Sequence, residues 1–202
     1  MRKEEKKSNI GVVILAGGKG KRFHSEKQFV NFLGKPLWRY VYDKALQIVP
    51  KENIIVVGVD ILGGKTRSFS VRNGLAQLCD IKKVLIIEAA RPLLTVEQIQ
   101  ELIDTEGDSI TFVAPCIDTI IMKDKTYLNR NDCLRMQTPQ AFNFELLKKA
   151  YSSEDKYLDM TDETRVMFEE YSILPVFIEG GENLYKVTYP NDLNYLKRII
   201  EQ

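Results

Sequence analysis

A chain of 202 residues, 44% hydrophobic and 28% charged, has the composition of one globular domain, which argues against disorder, collagen-like repeats or two separately cored domains. Its formal net charge of +1 gives no general reason to coat nucleic acid or an anionic membrane, so any anion site has to be local. No apolar run approaches the roughly 20 residues that cross a bilayer, and the charged start, MRKEEKKSNI, lacks the apolar core of a secretory signal, so a cytoplasmic protein is expected.

In chain order, residues 10–16 (IGVVILA) predict a buried strand that ends at Gly17-Gly18, and residues 36–48 a helix. That helix carries Leu37, Val41, Lys44/Ala45 and Ile48 at helical spacing, with Pro36 suited to its first turn. Strands follow at 53–59 and 83–87, and between them SVRNGLAQL reads as a helix capped by Ser70. Residues 96–103 predict a helix and 110–114 another strand. This alternation implies a mostly parallel sheet with helices on its faces.

After Cys116 the pattern changes, and CIDTIIMKDKTYLNR reads as a two-stranded arm turning around Lys123–Lys125. Helices are expected at 143–151 and 161–170, a last strand at 173–178 and a terminal helix at 190–200. Cys79, Cys116 and Cys133 are odd in number and lack CxxC spacing, so they indicate neither a disulfide framework nor a zinc site and are expected to be buried thiols.

Leu15 to Gln28 (LAGGKGKRFHSEKQ) carries the chemistry. A glycine-rich turn between a strand and a helix can bring backbone N–H groups close to phosphates, and Lys19, Lys21, Arg22 and Lys27 add positive charge. The stretch lacks the GxxxxGK[ST] of a Walker loop and the third glycine of GxGxxG, so neither a P-loop nor a dinucleotide site is indicated. By itself it is either a solvated basic turn or a triphosphate cradle, and Lys27 and Lys186 alone would pass for surface lysines.

The segments LAGGKGKRF…KQF…GKPLWRY, GGKTRSFSVRNGL (63–75), EAARP (88–92), DTI…NR…MQTPQAF (118–142), TDET (161–164) and KVTYPNDL (186–193) narrow the choice. Their order and type resemble the 2-C-methyl-D-erythritol 4-phosphate cytidylyltransferase family, with the related polyol-phosphate cytidylyltransferases, from about residue 11 to 198.

The resemblance implies a three-layer Rossmann-like nucleotidyltransferase fold over residues 1–202, mostly parallel in its sheet, with a protruding β-arm at about 116–135 that serves dimerisation. It also implies transfer of CMP from CTP to a phosphorylated polyol with Mg²⁺ assisting, on the way to isoprenoid precursors. The backbone of Ala16, Gly17, Gly18 and Gly20, with Arg22, Lys27 and Lys186, would grip the triphosphate.

By the same resemblance, Gly64, Lys65 and Ser70 would read the cytosine, Ser70 being equally suited to capping a helix. Glu88, Ala89 and Arg91 would meet the Mg²⁺, the ribose and the acceptor respectively. Thr119 and Arg130 would bind the acceptor phosphate from the partner subunit of a homodimer. Asp118 and Asp162 either orient these groups or cap turns.

Departures from the family pattern are Glu88 in place of Asp, the SEKQ approach to Lys27, and a short 60–62 connection where the family has a further strand and helix. Lys19 and Lys21 are expected to face solvent, and His24 has no assigned role. Ribitol 5-phosphate or another sugar or polyol phosphate is the alternative acceptor, and a nucleotide-binding protein without catalysis is the alternative of another class.

Overall fold

Val12, Val13 and Ile14 are completely buried in the first strand, β1 (Ile10–Leu15), because helices cover both faces of the sheet it belongs to. Such strands read as unbroken β-branched runs, and IIVV at 54–57 and KVLII at 83–87 repeat the pattern. The computed structural model describes residues 9–20, 22–152 and 154–200.

Two short strands, β2 (Asn31–Phe32) and β3 (Lys35–Pro36), form a hairpin before helix α1 (Leu37–Ile48). Then come β4 (Ile54–Val57), α2 (Arg67–Leu75), β5 (Lys83–Glu88), α3 (Val96–Asp104) and β6 (Ser109–Pro115). The arm is the hairpin β7 (Ile120–Ile121) and β8 (Tyr127–Leu128), after which β9 (Leu134–Asn143) re-enters the sheet. Helices α4 (Phe144–Ser152) and α5 (Glu163–Tyr171), strand β10 (Val176–Glu179) and helix α6 (Asn191–Ile200) complete the chain.

The six-stranded sheet has the order β10-β6-β9-β5-β1-β4, and only β9 runs antiparallel to its neighbours. Alternation along β1 divides the core. Val12 and Ile14 face Val41 and Ala45 of α1 with Ile99 and Leu102 of α3, whereas Val13 faces Val71 and Leu75 of α2 with residues of α4 and α5. The expected three-layer arrangement is therefore present.

Several local readings need correction. The helix after β4 begins at Arg67 and not at Ser70, and Thr66 caps it by accepting the Phe69 N–H. Ser70 lies buried inside the helix, where its hydroxyl donates to the Thr66 carbonyl. Pro36 is the cap of α1 and not part of its first turn. Strand β9 is absent from the sequence reading, since RMQTPQAF carries a proline and polar residues within a strand that is nonetheless central.

The thiols also depart from expectation: Cys79 is exposed and Cys116 and Cys133 are partly exposed, all three free. Among the described residues no helix is long and apolar enough to cross a membrane.

Candidate active site at the carboxyl ends of β1, β4 and β5

Parallel registry sets the site. Leu15 pairs with both Val57 and Glu88, so β1, β4 and β5 end at one level and their following loops meet. Helix α1 leaves β1 on one face of the sheet and α2 leaves β4 on the other, which opens a crevice where ligands of such sheets bind. The crevice has a volume of about 810 Å³ and is walled by residues 16–20, Arg22 and Phe23, the 63–67 loop, Glu88–Ala90 and Lys186.

Glycines make this closeness possible. A Cβ on Gly17 would lie 3.0 Å from the Gly63 Cα, and one on Gly64 would lie 2.2 Å from the Phe69 Cβ. Gly20 has φ +55°, a left-handed conformation that disfavours other residues. At Gly18, by contrast, an added Cβ would meet nothing within 4 Å. Its carbonyl is held by the Nε2 of the buried Gln28 at 3.1 Å. Below the loop Phe23 packs with Phe32, Leu37, Ala90, Val187 and Leu196.

Distant parts of the chain converge here. The Lys27 amine donates to the Val187 carbonyl at 2.6 Å, and the Val187 N–H donates to the Ala90 carbonyl at 2.8 Å. Asp192 accepts the N–H groups of Thr188 and Tyr189 and so fixes the start of α6. These bonds hold Lys186 over Glu88, with 2.6 Å between Lys186 Nζ and Glu88 Oε2.

Glu88 is only 12% exposed, and burial alone would push its carboxyl up. The nearby cations Lys186, Arg67 and Arg91 outweigh that and hold it at about 2. Arg67 Nε stands 3.5 Å from Glu88 Oε1, and Arg91 Nε stands 3.8 Å from Oε2. Lys27 is pulled the other way: burial, with Lys186 and Arg22 close by, overcomes the pull of Glu88 and brings its ammonium down to about 8.

Ala16, Gly17, Gly18, Gly20, Arg22, Lys27, Gly64, Lys65, Ser70, Glu88, Ala89 and Lys186, all singled out in the sequence, line this one crevice. Lys19 also lines it as an exposed rim residue, and Lys21 lies outside the described residues. Ser70 accepts the Gly64 N–H at 3.0 Å and thereby shapes the loop as well as the helix start.

Arg91 stands behind Glu88, bonded to Thr138 Oγ1 at 2.6 Å and to the Leu184 carbonyl. Thr119 and Arg130 are on the exposed arm and do not line the crevice of their own chain. There the Arg130 guanidinium donates to the Ile117 carbonyl at 2.7 Å. Asp162 caps α5 and accepts the Gln140 amide at 2.8 Å, while Asp118 and His24 are exposed.

Phe23, Gln28, Arg67 and Thr188 also border the crevice and Glu163 stands behind it, five residues without a role in the expectations above. The signal was present for most of them: Arg67 lies in GGKTRSFSVRNGL, Gln28 in KQF and Glu163 in TDET. Their contacts depend on tertiary folding and leave no local pattern.

Glu88 is the one acidic residue among the described residues that line the crevice, and these residues contain no cluster of three metal-ligating side chains. Its ionised, hard oxygen atoms suit Mg²⁺, which takes one or two carboxylates and completes its shell with water and substrate phosphates.

Fold and crevice together are those of an α/β nucleotidyltransferase. The family model of 2-C-methyl-D-erythritol 4-phosphate cytidylyltransferase (IspD) matches residues 42–202, and the chain belongs to this family. The protein of that name from Thermotoga neapolitana is 32% identical over 220 aligned positions, covering 94% of this chain and 96% of the relative. One from Clostridium botulinum (strain 657) is 33% identical over 228 positions, covering 96% and 99%. Both alignments exceed the 202 residues here, so these relatives hold residues without a counterpart in this chain.

Among solved structures, the bifunctional IspDF of Campylobacter jejuni superposes with a TM-score of 0.81 at 29% identity over 93% of this chain. This chain spans about half of that protein, 54% of its length. The 4-diphosphocytidyl-2C-methyl-D-erythritol synthase of Anaerococcus prevotii gives 0.79 at 21% identity, a likeness of fold.

Proposed function

We propose that the crevice binds CTP and transfers its CMP unit to 2-C-methyl-D-erythritol 4-phosphate, releasing pyrophosphate, a step in isoprenoid precursor synthesis. The observation that carries this reading is the meeting of Lys27 and Lys186, 159 positions apart in the chain, with Arg22, Glu88 and the glycine loop in one pocket.

An oxygen of the acceptor phosphate attacks the α-phosphorus of CTP, a new P–O–P link forms, and the bond to the β-phosphate oxygen breaks in line. Phosphoryl and nucleotidyl transfers of this kind need little covalent help, so positioning and charge neutralisation dominate. Lys27, Lys186 and Arg22 neutralise charge on the α-phosphate and the departing pyrophosphate, while the backbone of residues 16–20 cradles the β- and γ-phosphates. Gly64, Lys65 and Ser70 face the cytosine, and Ala89 the ribose.

Glu88 is the carboxylate that would hold Mg²⁺ entering with the triphosphate. Such an ion supplies neutralisation of phosphate charge.

Arg91, buried behind Glu88, serves the acceptor through that carboxylate, and Thr119 and Arg130 serve it from the arm of a second copy. Support for a homodimer comes from the arm's exposed Ile117, Ile121, Met122 and Tyr127, an apolar surface that a lone chain leaves uncovered. A cytoplasmic location accords with the soluble substrates.

Pyrophosphate release with each of the four nucleoside triphosphates, against methylerythritol phosphate, ribitol 5-phosphate and other polyol phosphates, tests the proposal. Turnover is expected with CTP and methylerythritol phosphate. Release with none of the acceptors in the presence of CTP, or preference for a purine nucleotide, would overturn it.

A further inference from the structure

We propose that Arg67 is a positioning residue of this pocket, a bridge that holds the Glu88 carboxylate in place by anchoring it to the fully buried Glu163. This rests on the cytidylyltransferase reading and adds a residue to it.

Arg67 opens α2. Its Nη1 donates to both carboxylate oxygens of Glu163 at 2.6 and 2.7 Å, and its Nε faces Glu88 Oε1 at 3.5 Å. Glu163 is 0% exposed, opens α5 where a helix start favours negative charge, and also accepts the Tyr151 hydroxyl at 3.0 Å. On either side of Arg67, the Thr66 hydroxyl donates to the Leu158 carbonyl and the Ser68 hydroxyl to the Met160 carbonyl. The guanidinium is thus fixed at its backbone and at its far end.

Its partners divide the two oxygen atoms of Glu88. Arg67 takes the Oε1 side, while Lys186 and Arg91 take Oε2. A glutamate has one more rotatable bond than an aspartate, and a clamp on one oxygen removes that freedom.

When Lys186 turns toward a bound triphosphate, Glu88 loses its shortest ion-pair contact, and Arg67 keeps the carboxylate paired and oriented. A lysine could not do this, because a point charge cannot span two carboxylates as the guanidinium fork does.

The test compares wild type, Arg67→Lys, Glu163→Gln, Glu88→Gln and the Arg67→Lys/Glu88→Gln double variant in steady-state pyrophosphate release. Arg67→Lys should lower kcat about tenfold while changing KM for CTP less than about threefold, since misplacement of a reacting pocket costs rate more than binding. Glu163→Gln, outside the pocket, should lower kcat in the same sense by about threefold, and it serves if Arg67→Lys does not fold. In the Glu88→Gln background Arg67→Lys should add no further loss, the mark of two residues acting as one unit.

An undiminished kcat in either Arg67→Lys or Glu163→Gln, with only a lower melting temperature, would overturn the proposal by showing a purely structural role. Equal losses in both backgrounds would overturn it as well. Wild type inactive with CTP would instead refute the functional reading. The bridge itself would then be judged from the melting temperatures of the four proteins of the Arg67/Glu88 cycle, where additive effects would overturn it.

Discussion

Replacing Glu88 with glutamine removes the negative charge that Lys186, Arg67 and Arg91 share while keeping the side chain's shape. Burial disfavours the carboxylate, yet these cations hold it at about 2 instead of the ordinary 4.5, which corresponds to roughly 3 kcal/mol at neutral pH. The cost of removing one partner of a buried ion pair is of the same order, about 3–5 kcal/mol. For a domain of this size a loss of about 3 kcal/mol lowers the melting temperature by about 6–12 °C.

The sign follows from the lowered carboxyl. Stability from Glu88 is present above pH 4.5 and is lost as pH falls toward 2, so the gap between the two proteins should narrow across that window. Saturating CTP supplies negative charge to the same cations and should also narrow it. Thermal melts followed by circular dichroism at pH 7 and pH 3, with and without CTP, measure all three effects. A variant melting within 2 °C of wild type at pH 7 would refute the reasoning, since the cations would then not depend on Glu88.

Lys27 loses its charge as pH rises through about 8, so kcat/KM for CTP should fall above that pH, and Lys27→Arg should move the fall upward; a flat profile to pH 9.5 would count against a phosphate-binding Lys27. Gly18→Ala should leave the melting temperature unchanged and raise KM for CTP, because the added methyl meets open space that a phosphate would fill. Gly64→Ala forces a contact of 2.2 Å with Phe69 and should lower both stability and activity, as melting and turnover assays would register. Thr66→Ala removes the cap of α2 and should cost about 1 kcal/mol in urea unfolding. Arg130→Ala should spare stability and nucleotide affinity but raise KM for the acceptor, which separates the arm's role from that of the crevice.

Much of this architecture was legible because it is written in periodicity. β1, β4 and β5 are apolar runs broken by turn residues, and α1 and α3 carry amphipathic spacing, so strands, helices and their alternation followed directly. Strand β9 is hidden because its Thr138-Pro139 and Gln140 are polar or ring-constrained; Gln140 is buried where it pairs with β5 and β6, and Thr138-Pro139 are buried in the irregularity of register beside it. The α2 cap lies four residues before the one read from the sequence, since Thr66 and Ser70 are both hydroxyl residues, and only the Phe69 N–H donating to Thr66 Oγ1, with Ser70 already inside the helix, distinguishes them.

At the site, the glycines and cations were visible as a motif, but their partners were not. Nothing local in Arg67 or Glu163 indicates that residues 96 positions apart form a fork behind Glu88, and nothing local in Lys27 shows that it reaches the Val187 carbonyl. Such contacts are set by which loops follow neighbouring strands, a property of strand order that the sequence expresses only through the whole fold.

The most direct measurement is a crystal structure with CTP and Mg²⁺ bound. The triphosphate is expected against Ala16–Gly20 and Arg22, with Lys27 and Lys186 on the α-phosphate and the cytosine against Gly64 and Ser70. CTP bound elsewhere, or a triphosphate lying in the crevice with Lys186 still paired to Glu88 and away from the α-phosphate, would contradict it.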